Sequence, residues 1–387
     1  MLALGLGAGG GCRTPQGSSS LPTTPLRSYA PVFPPEPADA PPPASRALTP
    51  SPALPPIVEA PRTAATATNL WVSLATWAAL QGLDRPEPVP SSVAPTRRIR
   101  SPRGALEAVV GTRTIRWNGT QHWLGFAPRV NQGQFEVYGL DLEKNFDPLL
   151  IGRCQRAAPR RVLVIDPGHG GEDTGAQSVA SQRCEKDYTL DWARRLQGGL
   201  AARGWAVFLT RTNDAEQSLS NRVALAQAKQ ADLFVSLHFN SAPLNRSRSG
   251  LETYCLTPSG LPSTLLRDSA EDPRQVFPNN AFDAQNLELA ARLHSGLVTA
   301  TGGVDGGVRR ARFMGVLRGQ NRPAILIEGG YLSHPQEAEL IARPSYRQKL
   351  AEALARAVAV YAESPSEGLA AGSPENRSAG AGTASGR

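Results

Sequence analysis

The sequence predicts an α/β fold for residues 156–364, in which helices cover both faces of an open and mostly parallel sheet. Two observations support this prediction. Short apolar runs without polar alternation are typical of strands that are buried on both faces. These runs alternate along the chain with longer, helix-like stretches, and such alternation favours parallel strands joined by crossover helices.

The elements of this region follow one another in a regular order. Four apolar runs predict strands: RVLVID (161–166), WAVFLT (205–210), LFVSLHF (233–239) and AILIEGGY (324–331). Four longer stretches predict helices: EKDYTLDWARRLQGGLAARG (185–204), SLSNRVALAQAKQA (218–231), NLELAARLHSGLVTATGG (286–303) and YRQKLAEALARAVAVYAE (346–363). Gly204 suits the end of the first helix, and Ser218 suits the N-cap of the second.

The remaining residues divide into three further segments. Residues 1–67 are rich in Pro, Ser, Thr and Ala, and we expect a disordered tether because such a composition cannot bury enough apolar surface to fold. Residues 68–155 combine a short helical stretch with strand-like runs and Gly/Asn turns, which predicts a small helix-plus-β module. Residues 365–387 predict a disordered tail.

Composition and charge restrict the partners of the chain. The formal net charge is +8, from 41 basic and 33 acidic residues, which predicts attraction to nucleic acid, anionic lipid or an acidic wall polymer. No nucleic-acid-binding motif or basic–aromatic stripe accompanies this charge, so nucleic acid is disfavoured. No run of 18 apolar residues is present, so an ordinary membrane span is not expected.

The cysteines leave two questions open. MLALGLGAGGGC at the start has the outline of an export signal that ends at a lipid-modified Cys12, but a plain glycine-rich start fits equally well. Cys154, Cys184 and Cys255 show no CxxC spacing, so a structural zinc site is not expected and their redox state stays open.

Candidate chemical groups follow three of the predicted strands. Ligands of such sheets gather at the carboxyl ends of the strands. His169 lies on a glycine-rich loop after the first strand, His238 ends the third, and Glu328 ends the last, while Glu185 begins the helix after the first loop. Two histidines and a glutamate are a common ligand set for catalytic zinc, and Glu328 could serve as the proton carrier.

The same residues carry a family resemblance that covers slightly more than half of the chain. The stretch 161–363 resembles the zinc-dependent N-acetylmuramoyl-L-alanine amidases of the Amidase_3 type through IDPGHGGEDTGA, CEKDYTLDWARRL, LTRTND, LSNRVALAQAKQADLFVSLHFNSA, GLETYCL and RRARFMGVLRGQNRPAILIEGGYLSHPQEAELI. The resemblance implies that His169, Glu185 and His238 bind Zn²⁺ and that Glu328 acts first as general base and then as general acid. It implies peptidoglycan as substrate, cut between N-acetylmuramic acid and L-alanine.

Two departures and one further likeness qualify this resemblance. Lys229-Gln230 replaces the Ala-Asn that the family often has, which should affect only a helix end. The segment 257–285 is longer than the family's minimal version, and its four prolines favour a substrate-facing loop over an inhibitory helix. The 68–155 module loosely resembles the N-terminal stalk domain of copper amine oxidases, without implying copper, since His122 is its only histidine.

Structural alternatives exist for each candidate residue. GHGG could be a glycine turn with an incidental histidine, and Glu328 could pair with Arg318 or Arg322. Asp166 is expected to orient the loop or a ligand histidine, with Asn240 and Arg222 holding the shape of the site. His294 and His334 are expected on a helix surface and in a loop, outside any metal site.

The alternative functions are therefore limited. A zinc peptidase or sugar deacetylase would normally show HExxH or paired Asp and His motifs, which are absent. A catalytically silent or inhibited amidase fold that serves in wall binding or regulation stays open. We expect a monomer in the cell envelope, periplasmic or secreted, attached to a membrane only if Cys12 carries a lipid, and the need for a protein activator stays open.

Overall fold

The computed structural model of the protein describes residues 71–152, 160–181, 183–265 and 271–363. All of them belong to one unit that spans Arg62–Arg387. The predicted export signal, the Pro-rich tether and the C-terminal tail lie outside the described residues. No helix within the described ranges is both long enough and apolar enough to cross a membrane.

The N-terminal part consists mainly of short strands. In chain order its elements are β1 (Trp71–Ser73), α1 (Leu74–Leu80), β2 (Glu87–Val89), β3 (Thr96–Ser101), β4 (Gly104–Val109), β5 (Thr114–Trp117), β6 (Thr120–Trp123), β7 (Arg129–Asn131), β8 (Gln134–Tyr138), α2 (Gly139–Asp141) and a π-helical stretch, Leu142–Ile151. Buried side chains alternate with more exposed ones along β4 and β6, the pattern of strands with one face on a core.

The C-terminal part alternates strands and helices as the sequence predicts. Its elements are β9 (Val162–Pro167), α3 (Glu185–Ala201), β10 (Ala206–Leu209), α4 (Leu219–Ala228), β11 (Leu233–Asn240), β12 (Leu251–Cys255), a 3₁₀ turn (Pro278–Phe282), α5 (Asp283–Thr301), β13 (Asp305–Arg310), α6 (Gly315–Arg318), β14 (Ala324–Tyr331), α7 (Pro335–Ala342) and α8 (Pro344–Glu363). Ser218 caps α4, since its side chain accepts a hydrogen bond from the backbone N–H of Asn221.

Within the described residues, eleven strands form one large sheet in the order β10-β9-β11-β14-β12-β13-β6-β5-β4-β3-β2. The strands β10, β9, β11 and β14 run parallel to one another, which confirms the predicted α/β class. The strand β12 was not predicted, and it runs antiparallel to β14. The N-terminal strands β2–β6 join this sheet where β6 pairs with β13 at His122 and Val308. The strands β1, β8 and β7 form a separate antiparallel sheet of three strands. The division into a module and a catalytic domain stays a prediction.

Helices pack on both faces of the parallel strands. On one face, α3, α5 and α8 share a core with alternate strand residues such as Ile165 and Ile327. On the other face, α4 and α6 pack on the intervening residues, such as Val164 and Leu326. The helix α3 buries Tyr188 and three further side chains at four-residue spacing, Trp192, Leu196 and Leu200, which places one stripe of the helix on the sheet.

The segment 257–285 leaves the sheet at the edge opposite the carboxyl ends of β9, β11 and β14, because it follows β12 and β12 runs antiparallel to β14. Its described part packs into the fold: Arg312 donates to the backbone carbonyls of Pro258, Leu261 and Pro273. The expectation of a substrate-facing loop was therefore wrong for this part. Its prolines shape a packed connection and do not line the candidate site.

Candidate metal centre and active site

Three of the predicted site residues meet at one point. His169 lies in the loop after β9, Glu185 is the first residue of α3, and His238 lies near the end of β11. One ligand atom from each of these residues lies within 4.8 Å of the others. The carboxyl ends of neighbouring parallel strands meet at one edge of the sheet, which brings the two histidines together. The start of α3 adds the carboxylate of Glu185.

The donor atoms face one another closely. Nε2 of His169 lies 3.1 Å and Nδ1 of His238 lies 2.9 Å from Oε1 of Glu185. Two ligands held at 2.0–2.1 Å from one zinc ion in a tetrahedral arrangement lie roughly 3.3 Å apart. The two histidine–Glu185 spacings and the chemistry of this donor set therefore fit a divalent metal ion.

Further contacts orient the three side chains. Nδ1 of His169 lies 2.8 Å from Oδ1 of Asp173, a carboxylate partner of the kind that fixes the ring orientation of metal-binding histidines. The backbone N–H of Phe239 donates to Oε1 of Glu185, and that of Ala176 donates to Oε2. Asp173 was not among the predicted residues, although it lies only four positions after His169.

Glycine residues make room for this cluster. A Cβ at Gly168 would lie 2.2 Å from the ring of His238, and a Cβ at Gly175 would lie 2.6 Å from the ring of His169. The φ of His169 is +62°, a left-handed conformation that is uncommon for residues with a side chain. The close approach explains the glycines of the loop, and the strained φ is the kind of local cost that marks functional sites.

The electrostatics of the cluster follow from its burial and its hydrogen bonds. Burial alone would raise the pKa of Glu185, but hydrogen bonds from His169 and His238 outweigh it and hold the pKa well below its usual range. Burial is the largest single effect on His169 and lowers its pKa, but the hydrogen bonds and negative charges of Glu185 and Asp173 together outweigh burial, so the net shift is upward. The carboxylate is thus ionised, as a metal ligand must be.

A buried ion pair supports the loop from below. Asp166 does not contact a ligand histidine directly. It accepts hydrogen bonds from Thr210, Ser236 and Arg222. Arg222 in turn donates to the backbone carbonyl of His169, so Asp166 orients the loop through the arginine. The expected role of both residues in shaping the site agrees with these contacts.

Arg211 is a second loop-supporting arginine, and sequence reasoning did not single it out. Its guanidinium donates to the carbonyls of Pro167 and Gly168 and to that of Lys186 on α3. It therefore joins the loop to the helix that carries Glu185. The residue lies within the LTRTND motif, which was the available signal.

Glu328 lies beside the cluster on β14. It is paired in register with His238 on one side and with Glu252 of β12 on the other. Paired residues of neighbouring strands place their side chains on the same face of a sheet, so all three project from one face. Arg318, one of the two arginines considered as a partner of Glu328, donates to the carbonyl of Arg312.

Arg322 is the other arginine considered as a partner of Glu328. It contacts the carbonyls of Ala226 and Ala231 and the side chain of Gln227. Asn240, which was expected to hold the shape of the site, donates to Oε2 of Glu252 over 3.0 Å.

The other histidines lie outside the cluster. His294 is fully buried and not on a helix surface, so that expectation was wrong. Its ring is buried because α5 is covered on most of its circumference. Nδ1 lies 3.1 Å from Oγ1 of Thr253, and Nε2 lies 2.9 Å from Oδ1 of Asp305. His334 precedes α7 and accepts a hydrogen bond from the backbone N–H of Glu337. His122 is buried between β5 and β13.

Fold and site together define an α/β protein with a His–Glu–His candidate metal centre at the carboxyl edge of its parallel strands. The profile of the N-acetylmuramoyl-L-alanine amidase family (Amidase_3) matches residues 163–360, just over half of the sequence. The chain belongs to this family.

Relatives of known name match the same region. The N-acetylmuramoyl-L-alanine amidase AmiC of Escherichia coli O6:H1 is 32% identical over 245 residues, which cover 57% of this chain and 58% of AmiC. AmiC of Neisseria meningitidis serogroup B is 33% identical, with 57% of each chain covered. The chain thus spans less than two thirds of the length of these relatives. An amidase structure from Clostridium difficile 630 is 33% identical, with a TM-score of 0.43, and covers 53% of this chain and 97% of its own.

Proposed function

We propose that this chain is a zinc-dependent peptidoglycan hydrolase that cleaves the amide bond between N-acetylmuramic acid and the L-alanine of the stem peptide. The convergence of His169, Glu185 and His238, with Glu328 in register beside them, carries the proposal. Family membership and the activity named for the AmiC relatives support the choice of substrate.

The three convergent residues would hold the metal ion. Their donor set of two imidazole nitrogens and one carboxylate matches catalytic zinc and leaves a fourth position open. When bound, the ion would act as a Lewis acid on the scissile carbonyl and lower the pKa of a coordinated water toward about 7. Asp173 would hold the ring of His169 in place, and the glycines of the loop would let both rings approach.

Glu328 would carry the proton. As general base, its carboxylate accepts a proton from the attacking water while the water oxygen bonds to the lactyl carbonyl carbon. The C–N bond then breaks, and Glu328 returns the proton to the departing nitrogen of L-alanine. The products are a free lactyl carboxylic acid and a peptide with a free amino terminus, so one water is consumed for each bond cut.

The setting of this activity is part of the proposal. A peptidoglycan substrate places the protein in the cell envelope, as a periplasmic or secreted monomer, with a lipid on Cys12 as an alternative anchor. The 68–155 strands would serve as a wall-binding or regulatory module. A protein activator remains an open partner, and nucleic acid is not expected as one.

The test uses the full chain loaded with one equivalent of zinc and incubated with purified peptidoglycan. Release of stem peptides with N-terminal L-alanine is measured by mass spectrometry, with and without a chelator. Glu328→Gln should keep the metal, measured by atomic emission, and lose about 10²- to 10⁴-fold in rate. Glu185→Gln should lose metal binding as well.

Glu339→Gln is the matched control, because Glu339 is an exposed glutamate on α7. It should keep both metal and activity. Peptide release that persists in Glu328→Gln would remove Glu328 from the mechanism. A wild-type chain that holds zinc and releases nothing would favour the silent or inhibited wall-binding alternative.

A further inference from the structure

We propose that Arg248 binds a carboxylate of the peptide part of the substrate and that Glu252 is the residue that positions it. This inference rests on the proposed function, because it concerns the substrate of the same site. It assigns a specificity-determining role to the connection between β11 and β12, residues 241–250, which the mechanism above does not use.

The connection lies at the correct edge of the sheet. It leaves β11 shortly after His238 and enters β12 shortly before Glu252, which is paired with Glu328 of β14. Neighbouring strands lie about 4.8 Å apart, so Glu252 is one strand away from the proposed general base. A side chain held by Glu252 is therefore within reach of a substrate whose scissile bond lies at Glu328.

Glu252 is a buried carboxylate with many partners. Its side chain is 3% exposed and lies 3.1 Å from the guanidinium of Arg309. It also accepts hydrogen bonds from Tyr254 over 2.6 Å, from Asn240 over 3.0 Å and from Tyr331 over 3.2 Å. These partners satisfy the carboxylate without Arg248.

Arg248 is held only loosely at this carboxylate. Its Nη2 lies 3.7 Å from Oε1 of Glu252, and its guanidinium carbon lies 5.7 Å from the ring centre of Tyr331. Its side chain is 44% exposed. A guanidinium has five N–H donors, and its fork matches a carboxylate. Arg248 thus lies beside Glu252 with a partly exposed side chain, so its donors are accessible to a ligand.

Arg309 cannot take this role. Its guanidinium lies 4.6 Å from the ring centre of Trp123, donates to the carbonyl of Gly306, and is 12% exposed at the side chain. Because Arg309 already compensates the negative charge of Glu252, the positive charge of Arg248 is available to bind an anionic ligand. The rival interpretation is a solvated surface ion pair, which would contribute little to binding.

The substrate supplies the matching group. A stem peptide carries at least its terminal carboxylate, and each residue beyond the scissile bond extends up to about 3.5 Å. With the scissile bond at Glu328, a carboxylate on the second residue of the peptide could therefore reach the guanidinium of Arg248. Matched muramoyl dipeptides with either a carboxylate or a carboxamide at that residue isolate this contact.

The experiment measures kcat and KM of the zinc-loaded full chain on both dipeptides. The wild type should prefer the carboxylate form, and Arg248→Ala should reduce that preference by about ten- to a hundredfold, mainly through KM, as expected for a charge-assisted hydrogen bond. Arg248→Lys should retain part of it. Glu252→Gln, checked for folding by circular dichroism, should weaken the preference without removing it.

Arg246→Ala is the control, because Arg246 is an exposed arginine of the same connection and should leave both rates unchanged. Equal hydrolysis of the two dipeptides by the wild type would overturn the inference while leaving the proposed function intact. So would an equal loss on both dipeptides in Arg248→Ala. Hydrolysis of neither dipeptide, together with no release from peptidoglycan, would instead count against the proposed function.

Discussion

Replacing Gly168 by alanine tests whether the loop glycines exist to make room for the metal ligands. The added Cβ would lie 2.2 Å from Cε1 of His238, whereas ordinary contacts begin near 3.4 Å, so the ring must move by about 1.2 Å. The backbone of Gly168 cannot yield instead, because its N–H donates to the carbonyl of Leu237 and its carbonyl accepts from Thr189 and Arg211.

A displacement of this size is large for a metal ligand, since metal–ligand distances are held within about 0.2 Å. Losses of ten- to a hundredfold in affinity follow even from indirect disturbance of a ligand. We therefore expect Gly168→Ala to weaken zinc binding by at least tenfold, which is about 1.4 kcal/mol. A competition titration against a chromogenic chelator measures this directly.

Gly198→Ala is the control, because a Cβ at Gly198 of α3 meets nothing within 4 Å. It should bind zinc as the wild type does and gain up to about 1 kcal/mol in stability from helix propensity. If Gly168→Ala bound zinc within twofold of the wild type, either the ring of His238 would not be a ligand or the loop would be freer to move than its hydrogen bonds indicate.

Three further predictions concern stability. Asp166→Ala leaves the buried Arg222 without its carboxylate partner, so the free energy of unfolding in urea should fall by about 3–5 kcal/mol. Ser236→Ala removes only one hydrogen bond to Asp166 and should cost about 1 kcal/mol, and equal losses in the two variants would contradict this prediction. Burial lowers the pKa of His122 to about 3. The unfolded state then binds more protons between pH 6.5 and 3, so stability should decrease as the pH is lowered through this window, by up to about 1.4 kcal/mol per pH unit, and His122→Gln should reduce this slope. Arg312→Ala should speed proteolysis within 257–285 yet leave zinc affinity unchanged, because that segment leaves the opposite edge of the sheet.

The candidate site could be predicted from sequence because its residues are tied to local signals. His169, His238 and Glu328 each follow or end an apolar run that is long enough to indicate a strand. The rule that parallel strands present their carboxyl ends at one edge then brings distant residues together without any knowledge of the packing. Glu185 depends on the start of α3, which the amphipathic pattern of that helix also marks.

The direction of β12 could not be predicted in this way. The strand has only five residues, LETYC, and all of them are buried, so it shows neither an alternating pattern nor a long apolar run. Its antiparallel pairing with β14 depends on contacts between distant residues, which no local signal carries. The error about 257–285 and the unpredicted position of Glu252 beside Glu328 both follow from this one strand.

His294 shows the same limit on a helix. A polar residue within an amphipathic stretch is usually assigned to the solvent face, since most helices have one. Here α5 contacts strands, α8 and the π-helical stretch, so little of its surface is left for solvent. The histidine is buried with two polar partners, Thr253 and Asp305, and neither of them is near it in sequence.

The edge of the sheet next to the site depends on the N-terminal strands. The strand β6 covers β13, and its Trp123 packs on the guanidinium of Arg309, which neutralises Glu252 beside Glu328. A fragment starting at residue 156 would expose the hydrogen-bonding edge of β13 and would lack Trp123, which packs on the guanidinium of Arg309. Arg309 would then be freer to leave Glu252, whose carboxylate would be less well compensated beside a second carboxylate. Activity of such a fragment would therefore reflect an altered site edge, and the full chain is the form in which the proposed chemistry should be measured.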